Sequence, residues 1–167
     1  MTEVLRLSPN QDARAHPIRV IVIHADASPN EEGTLGWLEN PRSKVSYHVL
    51  IGRKGTKYRC VLDTRRAWAV GYSAWRGARN INHIALNVAF ANRNDGKEPL
   101  TSAQIDSARE VIAEWRAKWK IEDTTTHQIV SRWKDGKELR LNPHTGKMER
   151  RKHDPESAPN FDLRDFV

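Results

Sequence analysis

The length and composition of this chain limit it to one ordinary globular domain. With 167 residues, of which 38% are hydrophobic, it can bury one core but not two. It has no apolar run of the ~18 residues that a membrane-spanning helix requires. The N-terminus has no apolar segment typical of a secretory signal, and the single cysteine, Cys60, excludes an internal disulfide. We therefore expect a single domain, residues 1–167, that folds in the cytoplasm.

The positive charge of the chain is concentrated near its C-terminal end. The formal net charge is +7, and residues 132–152 contain eight Lys or Arg against three Asp or Glu. Such a segment attracts polyanions, including nucleic acid, anionic lipid and polymers of the bacterial envelope. A solvated basic loop has the same composition. Charge alone therefore leaves the partner open.

The hydrophobic pattern of the first half predicts a mixed α/β arrangement. Residues 18–24, rich in Val and Ile, predict a central strand with His24 at its C-terminal end. Residues 31–40 predict a short helix. Val45–Ile51 and Thr56–Leu62 flank a Gly-Arg-Lys-Gly turn, a pattern typical of an antiparallel hairpin.

The second half continues this alternation after a long irregular segment. Residues 63–82 are rich in Trp and Gly without a clean period, which favours a structured loop. Residues 83–90 predict a strand with small side chains on one face. Residues 101–119 begin with a capping box and predict the most regular helix. Residues 124–130 are rich in β-branched side chains, which predicts a strand with His127 on it or at its end.

Five short motifs follow one another in a distinctive order. They are Ile21-Val22-Ile23-His24, Val45–Ile51 with its basic turn, Ala67-Trp68 with Gly71, Asn80 before His83-Ile84-Ala85-Leu86, and Arg151-Lys152-His153-Asp154-Pro155. From about Ile18 to Phe166 this order resembles the zinc-dependent N-acetylmuramoyl-L-alanine amidases. This is the type 2 amidase and peptidoglycan-recognition-protein family, and the resemblance is strongest to short phage endolysins. It implies an α/β domain with a central mixed β-sheet flanked by helices.

The resemblance assigns a metal site to His24, His127 and Asp154. Two imidazoles and one carboxylate suit zinc and leave a fourth position for water, whose pKa the metal lowers toward neutrality. The resemblance thus implies one Zn²⁺ ion and a peptidoglycan hydrolase that cleaves the amide between N-acetylmuramic acid and L-alanine. Taken alone, each residue also fits a structural role, since Asp154-Pro155 is a common turn dipeptide. His144 lies among turn-forming residues and is interpreted as a turn residue, although it is the one competitor for a metal position.

Two further residues receive catalytic roles from the resemblance. Lys152 falls where a cation would stabilise the oxyanion formed from the scissile carbonyl. Tyr47 falls on a tyrosine of phage members, whose hydroxyl acts as a base or holds the attacking water. Without the resemblance, Tyr47 fits a core aromatic equally well.

The substrate groove is expected to be rich in aromatic side chains. Aromatic faces stack on sugars and Arg pairs with carboxylates, which assigns substrate binding to Trp68, Tyr72, Trp75 and Arg76. Asn87, also assigned to the groove, stands where many members have an acidic general base, and an amide cannot take that proton.

Two other departures from the family concern Ala69 and the spacing of the ligands. Ala69 follows Trp68 where a histidine is frequent. His127 and Asp154 are 27 positions apart, whereas the family joins these ligands by a short loop. Turn residues 142–146 between two short arms predict an inserted basic β-hairpin at about 132–150, which folds back beside the cleft and contacts the anionic envelope.

The expected biological setting is a phage or prophage endolysin. It would stay in the host cytoplasm until lysis and then act in the periplasm or cell wall, as a monomer that binds peptidoglycan and no nucleic acid. A cytoplasmic muropeptide-recycling amidase and a non-catalytic peptidoglycan-binding module are the alternatives. The +7 charge also fits a nucleic-acid-binding domain, although no recognition motif is present.

Overall fold

The structure is a computed structural model that describes residues 2–131, 140–141, 148–149 and 154–167. Its helices are Glu31–Glu39 (α1), Ser102–Lys118 (α2) and His127–Val130 (α3), with 3₁₀ turns at Ile81–His83 and Leu163–Phe166. Its strands are Glu3–Leu5 (β1), Gln11–Ala13 (β2), Val20–Ala25 (β3), Val49–Ile51 (β4), Lys57–Arg59 (β5), Arg65–Ala67 (β6), Ala74–Trp75 (β7), Ala78–Arg79 (β8), Ala85–Phe90 (β9), Asp123–Thr126 (β10), Arg140–Leu141 (β11) and Met148–Glu149 (β12).

A six-stranded mixed sheet forms the centre of the fold, in the order β1-β5-β4-β9-β3-β10. Strands β4 and β5 pair antiparallel, and the other neighbours are parallel. All residues of β3 and β9 are buried, as expected of central parallel strands with both faces covered. The predicted α/β class with a central mixed sheet flanked by helices is confirmed.

The two faces of β3 belong to different parts of the core. Ile21 and Ile23 pack in the cluster that includes Trp115 of α2. Val20 and Val22 pack in a second cluster on the other face. Because side chains alternate along a strand, His24 lies on the face away from α2.

Helix α2 follows the predicted pattern closely. The Thr101 hydroxyl accepts from the Gln104 backbone N–H, and the Gln104 side chain accepts from the Thr101 N–H, which completes the capping box. The helix ends at Lys118, one residue before the predicted end, and buries Val111, Ile112 and Trp115 against the sheet.

The predicted hairpin strands are shorter than the sequence pattern suggests. Strands β4 and β5 pair antiparallel with Leu50 opposite Tyr58, as expected. The His48 backbone still bonds to Asn87 and Cys60, but the residues before it leave the ladder. There the Ser46 N–H donates to the Trp68 carbonyl, and the Ser46 hydroxyl donates to the Asn10 carbonyl. Side-chain hydrogen bonds thus replace strand pairing at this point.

The N-terminal segment contributes strands that the sequence pattern did not predict. Strand β1 pairs parallel with β5, and β2 pairs antiparallel with β6 inside the segment predicted as a loop. The half-buried Arg14 then donates to five backbone carbonyls, of Asp63, Arg65, Asn82, His83 and Ala85. At the other end, Phe166 packs against Phe90 and Phe161. Both ends of the chain therefore pack onto the sheet.

Strands β11 and β12 pair antiparallel within the segment for which an inserted hairpin is predicted, with Leu141 opposite Met148. The turn between them, with His144, lies outside the described residues. In the described part of the chain, no helix combines the length and apolarity needed to cross a bilayer.

Candidate active site

His24 lies near the carboxyl end of strand β3, at the edge of the sheet where the candidate site lies. The His24 side chain is fully buried, and its ring centroid lies 4.7 Å from that of His127 and 5.1 Å from that of Tyr47. Its Nε2 lies 3.0 Å from the Oδ1 atom of Asn87 on β9. His24 is therefore surrounded by polar and aromatic groups on a rigid central strand.

His127 reaches the same edge from the neighbouring strand. Strand β10 pairs parallel with β3, with Thr126 opposite Ile23, so the next residue along β10 emerges beside His24. The Thr126 hydroxyl accepts from the Ile129 N–H and caps the short helix α3, which begins at His127. Since parallel strands have their carboxyl ends at one edge, the two histidines converge there.

Asp154 completes the group from a distant part of the chain. Its Oδ2 lies 2.9 Å from His127 Nδ1, its Oδ1 accepts from the Ala25 backbone N–H, and its carbonyl accepts from the Gln128 N–H at 2.9 Å. Burial alone would raise the pKa of Asp154, but hydrogen bonding and charge from His127, with further contributions from His24 and Ala25, lower it. Asp154 is thus held as a carboxylate.

The three side chains fit a zinc ion. One donor atom from each of His24, His127 and Asp154 lies within 4.8 Å of the other two, and both histidines are buried. Two ligands on one tetrahedral zinc ion lie roughly 3.3 Å apart, given bonds of ~2.0–2.1 Å. The 2.9 Å spacing between His127 and Asp154 is close to this separation. The donor set and the spacing of this pair therefore suit the ion.

A cleft of about 570 Å³ opens above His127 and Asp154. Its walls come from the end of β3, from α1 and from the segment before β4, and they include Tyr47 and Trp37. This volume is within the range of sites for small organic ligands. The candidate metal ligands thus lie at an accessible concave surface.

Tyr47 lines this cleft beside the candidate ligands His127 and Asp154. Burial, and then the negative charges of Asp154 and Asp26, raise the pKa of the Tyr47 phenol above its ordinary value. The hydroxyl therefore stays protonated at neutral pH. The protonated hydroxyl can donate a hydrogen bond to a group in the cleft.

Asp26 is a buried acid in the cleft wall that the sequence pattern did not single out. Its Oδ1 accepts from the Ser28 and Asn92 N–H groups, and its Oδ2 accepts from the Thr34 hydroxyl at 2.5 Å. Burial is the main cause of its raised pKa. Both carboxylate oxygens of Asp26 thus hold the end of β3 against α1. In the sequence, its position two residues after His24 is the feature that could have indicated a place near the site.

Trp37 is a second cleft residue that the sequence analysis missed. It belongs to α1, lines the cleft and is 55% exposed. The pattern of α1 offers a signal in retrospect, because Leu35 and Leu38 form its buried face and leave Trp37 outside that face. The indole of Trp37 is therefore accessible from the cleft.

The four aromatic and Arg residues predicted for the substrate groove do not lie in the described cleft. Trp75 is 7% exposed in the core and donates to Asp123, and the Arg76 guanidinium lies 4.7 Å above its ring. Trp68 is half-buried and Tyr72 is 59% exposed. None of these four lines the described cleft. Substrate contact by them stays a prediction, and the burial of Trp75 speaks against direct contact.

Asn87 and Lys152 complete the predicted set. Asn87 is fully buried behind His24, away from the cleft surface, which also speaks against substrate contact. Lys152 lies outside the described residues. The acid expected by analogy in β9 is absent at every position of that strand, Ala85–Phe90.

Comparisons with known proteins agree with this geometry. The family described as N-acetylmuramoyl-L-alanine amidase matches residues 14–157. The chain is 30% identical over 127 residues to N-acetylmuramoyl-L-alanine amidase AmiD of Escherichia coli, which covers 65% of the chain. That match covers 45% of AmiD, so the chain spans less than half of this curated relative.

Solved structures show the same fold. A selenomethionine derivative of AmpD superposes with a TM-score of 0.66 at 21% identity, covering 99% of the chain and 91% of AmpD. AmiD from E. coli, in complex with anhydro-N-acetylmuramic acid-L-Ala-D-gamma-Glu-L-Lys, gives a TM-score of 0.61 at 26% identity, covering 71% of the chain and 52% of AmiD. Because the family match spans most of the sequence, the chain belongs to the N-acetylmuramoyl-L-alanine amidase family.

Proposed function

We propose that this chain is a zinc-dependent hydrolase that cleaves the amide bond between N-acetylmuramic acid and L-alanine in peptidoglycan. The observation that carries the proposal is the convergence of His24, His127 and Asp154, with donor atoms within 4.8 Å of one another, beside an open cleft. Family membership supplies the substrate class. The intact ligand set favours an enzyme over a non-catalytic binding module.

Each of the candidate site residues has a separate role in the proposed reaction. When bound, zinc supplies an activated water and polarises the scissile carbonyl. His24, His127 and Asp154 would hold the ion, and the Ala25 and Gln128 N–H groups fix Asp154 in place. The protonated Tyr47 hydroxyl donates a hydrogen bond to the developing oxyanion or to the attacking water. Lys152 keeps its proposed role at the oxyanion.

Trp37 takes the substrate-contact role in this proposal. Aromatic contacts contribute about 0.5–1.5 kcal/mol beyond area burial, which corresponds to about 2- to 12-fold in affinity. We expect Trp37→Ala to raise KM by this factor with kcat nearly unchanged, and Trp37→Phe to raise it less. Steady-state kinetics on a soluble muropeptide measure both.

Leu62→Ala is the matched control for Trp37, because Leu62 is also 55% exposed but does not line the cleft. Its KM should equal that of the wild type. Equal KM values for Trp37→Ala and the wild type would remove Trp37 from the substrate site.

Two biological settings follow from the same chemistry. A phage or prophage endolysin, released from the host cytoplasm at lysis, would attack intact sacculi, and its basic hairpin would contact the anionic envelope. A recycling amidase would act on soluble fragments, the class of ligand present in the AmiD complex. We propose the endolysin as the first candidate and the recycling enzyme as the alternative.

Digestion of purified sacculi and of a soluble anhydromuramyl peptide tests the proposal. The zinc-loaded protein should release peptides with a free N-terminal L-alanine, identified by mass spectrometry. Chelation should stop the release, and added zinc should restore it. Activity on sacculi favours the endolysin, whereas activity on the soluble peptide alone favours recycling.

Unchanged release after complete chelation would contradict the metal-dependent mechanism. Binding to sacculi without release at any protein concentration would instead identify a peptidoglycan-binding module.

A further inference from the structure

A buried amide stands directly behind His24. Asn87 on β9 and His24 on β3 are both fully buried, and the Asn87 Oδ1 lies 3.0 Å from the His24 Nε2. In the parallel register, His24 is opposite Ala89, and Asn87 is opposite Val22. Because Ala89 is small, the amide reaches the imidazole diagonally across the two strands.

The backbone of Asn87 is fixed independently of His24. Its N–H donates to His48 Nδ1 at 3.0 Å, and its carbonyl accepts from the His48 N–H at 3.0 Å. His48 is itself fully buried, and its Nε2 lies 3.1 Å from the carbonyl oxygen of Arg65. The position of the amide is thus set by the sheet and by a second buried histidine.

Fold stability gives no reason for an amide at this position. Within the described residues, the Asn87 Nδ2 is buried without a hydrogen-bond partner. An unpaired buried donor is destabilising, and it offsets the stability gained from the amide's contact with His24. In the part of the chain that the structure describes, the contact with His24 is the only hydrogen bond of the Asn87 side chain.

We propose that Asn87 is a positioning residue that selects the zinc-binding tautomer of His24. An amide oxygen only accepts hydrogen bonds, so the proton of the neutral imidazole must lie on Nε2. The lone pair is then on Nδ1, which becomes the ligand atom. The reversed amide would present Nδ2 to the ring and require the proton on Nδ1 instead.

In other proteins, substitution of the hydrogen-bond partner of a metal-ligating histidine lowers metal affinity by about 10- to 100-fold. The inference rests on the zinc site of the proposed function, and it gives Asn87 a role behind the metal ligand in place of substrate contact. It also explains why a buried polar group with an unpaired N–H persists in a central strand.

The test compares Asn87→Leu with Asn87→Asp. Leucine removes the acceptor, whereas aspartate keeps an oxygen in its place. We expect the zinc affinity of Asn87→Leu, measured by competition with a chromogenic chelator, to fall about 10- to 100-fold, and that of Asn87→Asp to stay within about threefold of the wild type. The metal-free Asn87→Leu protein should melt close to the wild-type temperature, because the variant exchanges the unpaired Asn87 Nδ2 for a His24 Nε2 that has lost its acceptor, whereas a merely structural role would lower the melting temperature clearly.

A measurement on the wild-type protein makes the test independent of variant folding. ¹⁵N chemical shifts of the histidine rings in the metal-free protein should show His24 protonated at Nε2, with His24→Gln used for assignment. Protonation at Nδ1, an unchanged zinc affinity of Asn87→Leu, or equal loss in both variants would overturn the inference. A wild-type protein that binds no zinc would overturn the metal-dependent function itself, and this inference with it.

Discussion

Asp154→Ala is expected to abolish zinc binding and amide hydrolysis together. The substitution removes one of three candidate ligands and leaves His127 without its partner at 2.9 Å. Loss of an outer partner of a ligand costs about 10- to 100-fold in affinity, so loss of the ligand itself should cost more than about 100-fold. Chelator competition and product release from sacculi measure the two effects on one preparation.

Asp162→Ala is the matched control for this substitution. Asp162 lies in the same C-terminal stretch, but its carboxylate pairs with the exposed Arg164 and lies outside the metal group. It should bind zinc and hydrolyse substrate as the wild type does. Retention of full zinc affinity by Asp154→Ala would remove Asp154 from the metal site.

Tyr47→Phe is expected to lower kcat by about 10²- to 10³-fold, the usual effect of removing one donor to an oxyanion. The ring remains, so packing beside His24 at 5.1 Å should be kept. KM, zinc affinity and the melting temperature should therefore stay close to the wild-type values. This pattern separates loss of a hydroxyl that acts in the transition state from loss of the metal site.

Tyr58→Phe provides the comparison, because the Tyr58 hydroxyl donates to Glu31 and does not line the described cleft. Its kcat should be unchanged. A kcat of Tyr47→Phe equal to that of the wild type would show that the hydroxyl takes no part in the reaction.

The order of motifs in the sequence was enough to identify the residues that converge. His24 lies near the end of a strand rich in β-branched residues, and His127 directly follows a neighbouring parallel strand, so their proximity follows from strand geometry. Asp154 could be found only through the family resemblance, since no local pattern indicates that residue 154 returns to the end of β3.

The differences between the expected and observed positions of several residues have a common physical origin. Composition cannot distinguish an aromatic side chain on a cleft from one in the core, which is why Trp75 was assigned to the groove while Trp37 was missed. Asn87 was placed in the groove by comparison with an acid, but the register of β9 sets it behind His24. The short strands β1 and β2 were not predicted, because three residues are too few to show the alternating hydrophobic pattern of a strand.

The packing of the chain ends sets the limits of the folding unit. The family match runs from residue 14 to residue 157, yet β1 extends the sheet before it and Phe166 packs in the core after it. A fragment cut to the matched residues would expose the edge of β5 and the apolar surface that Phe90 shares with Phe166. The smallest piece suited to independent folding is therefore longer than the recognisable family segment at both ends.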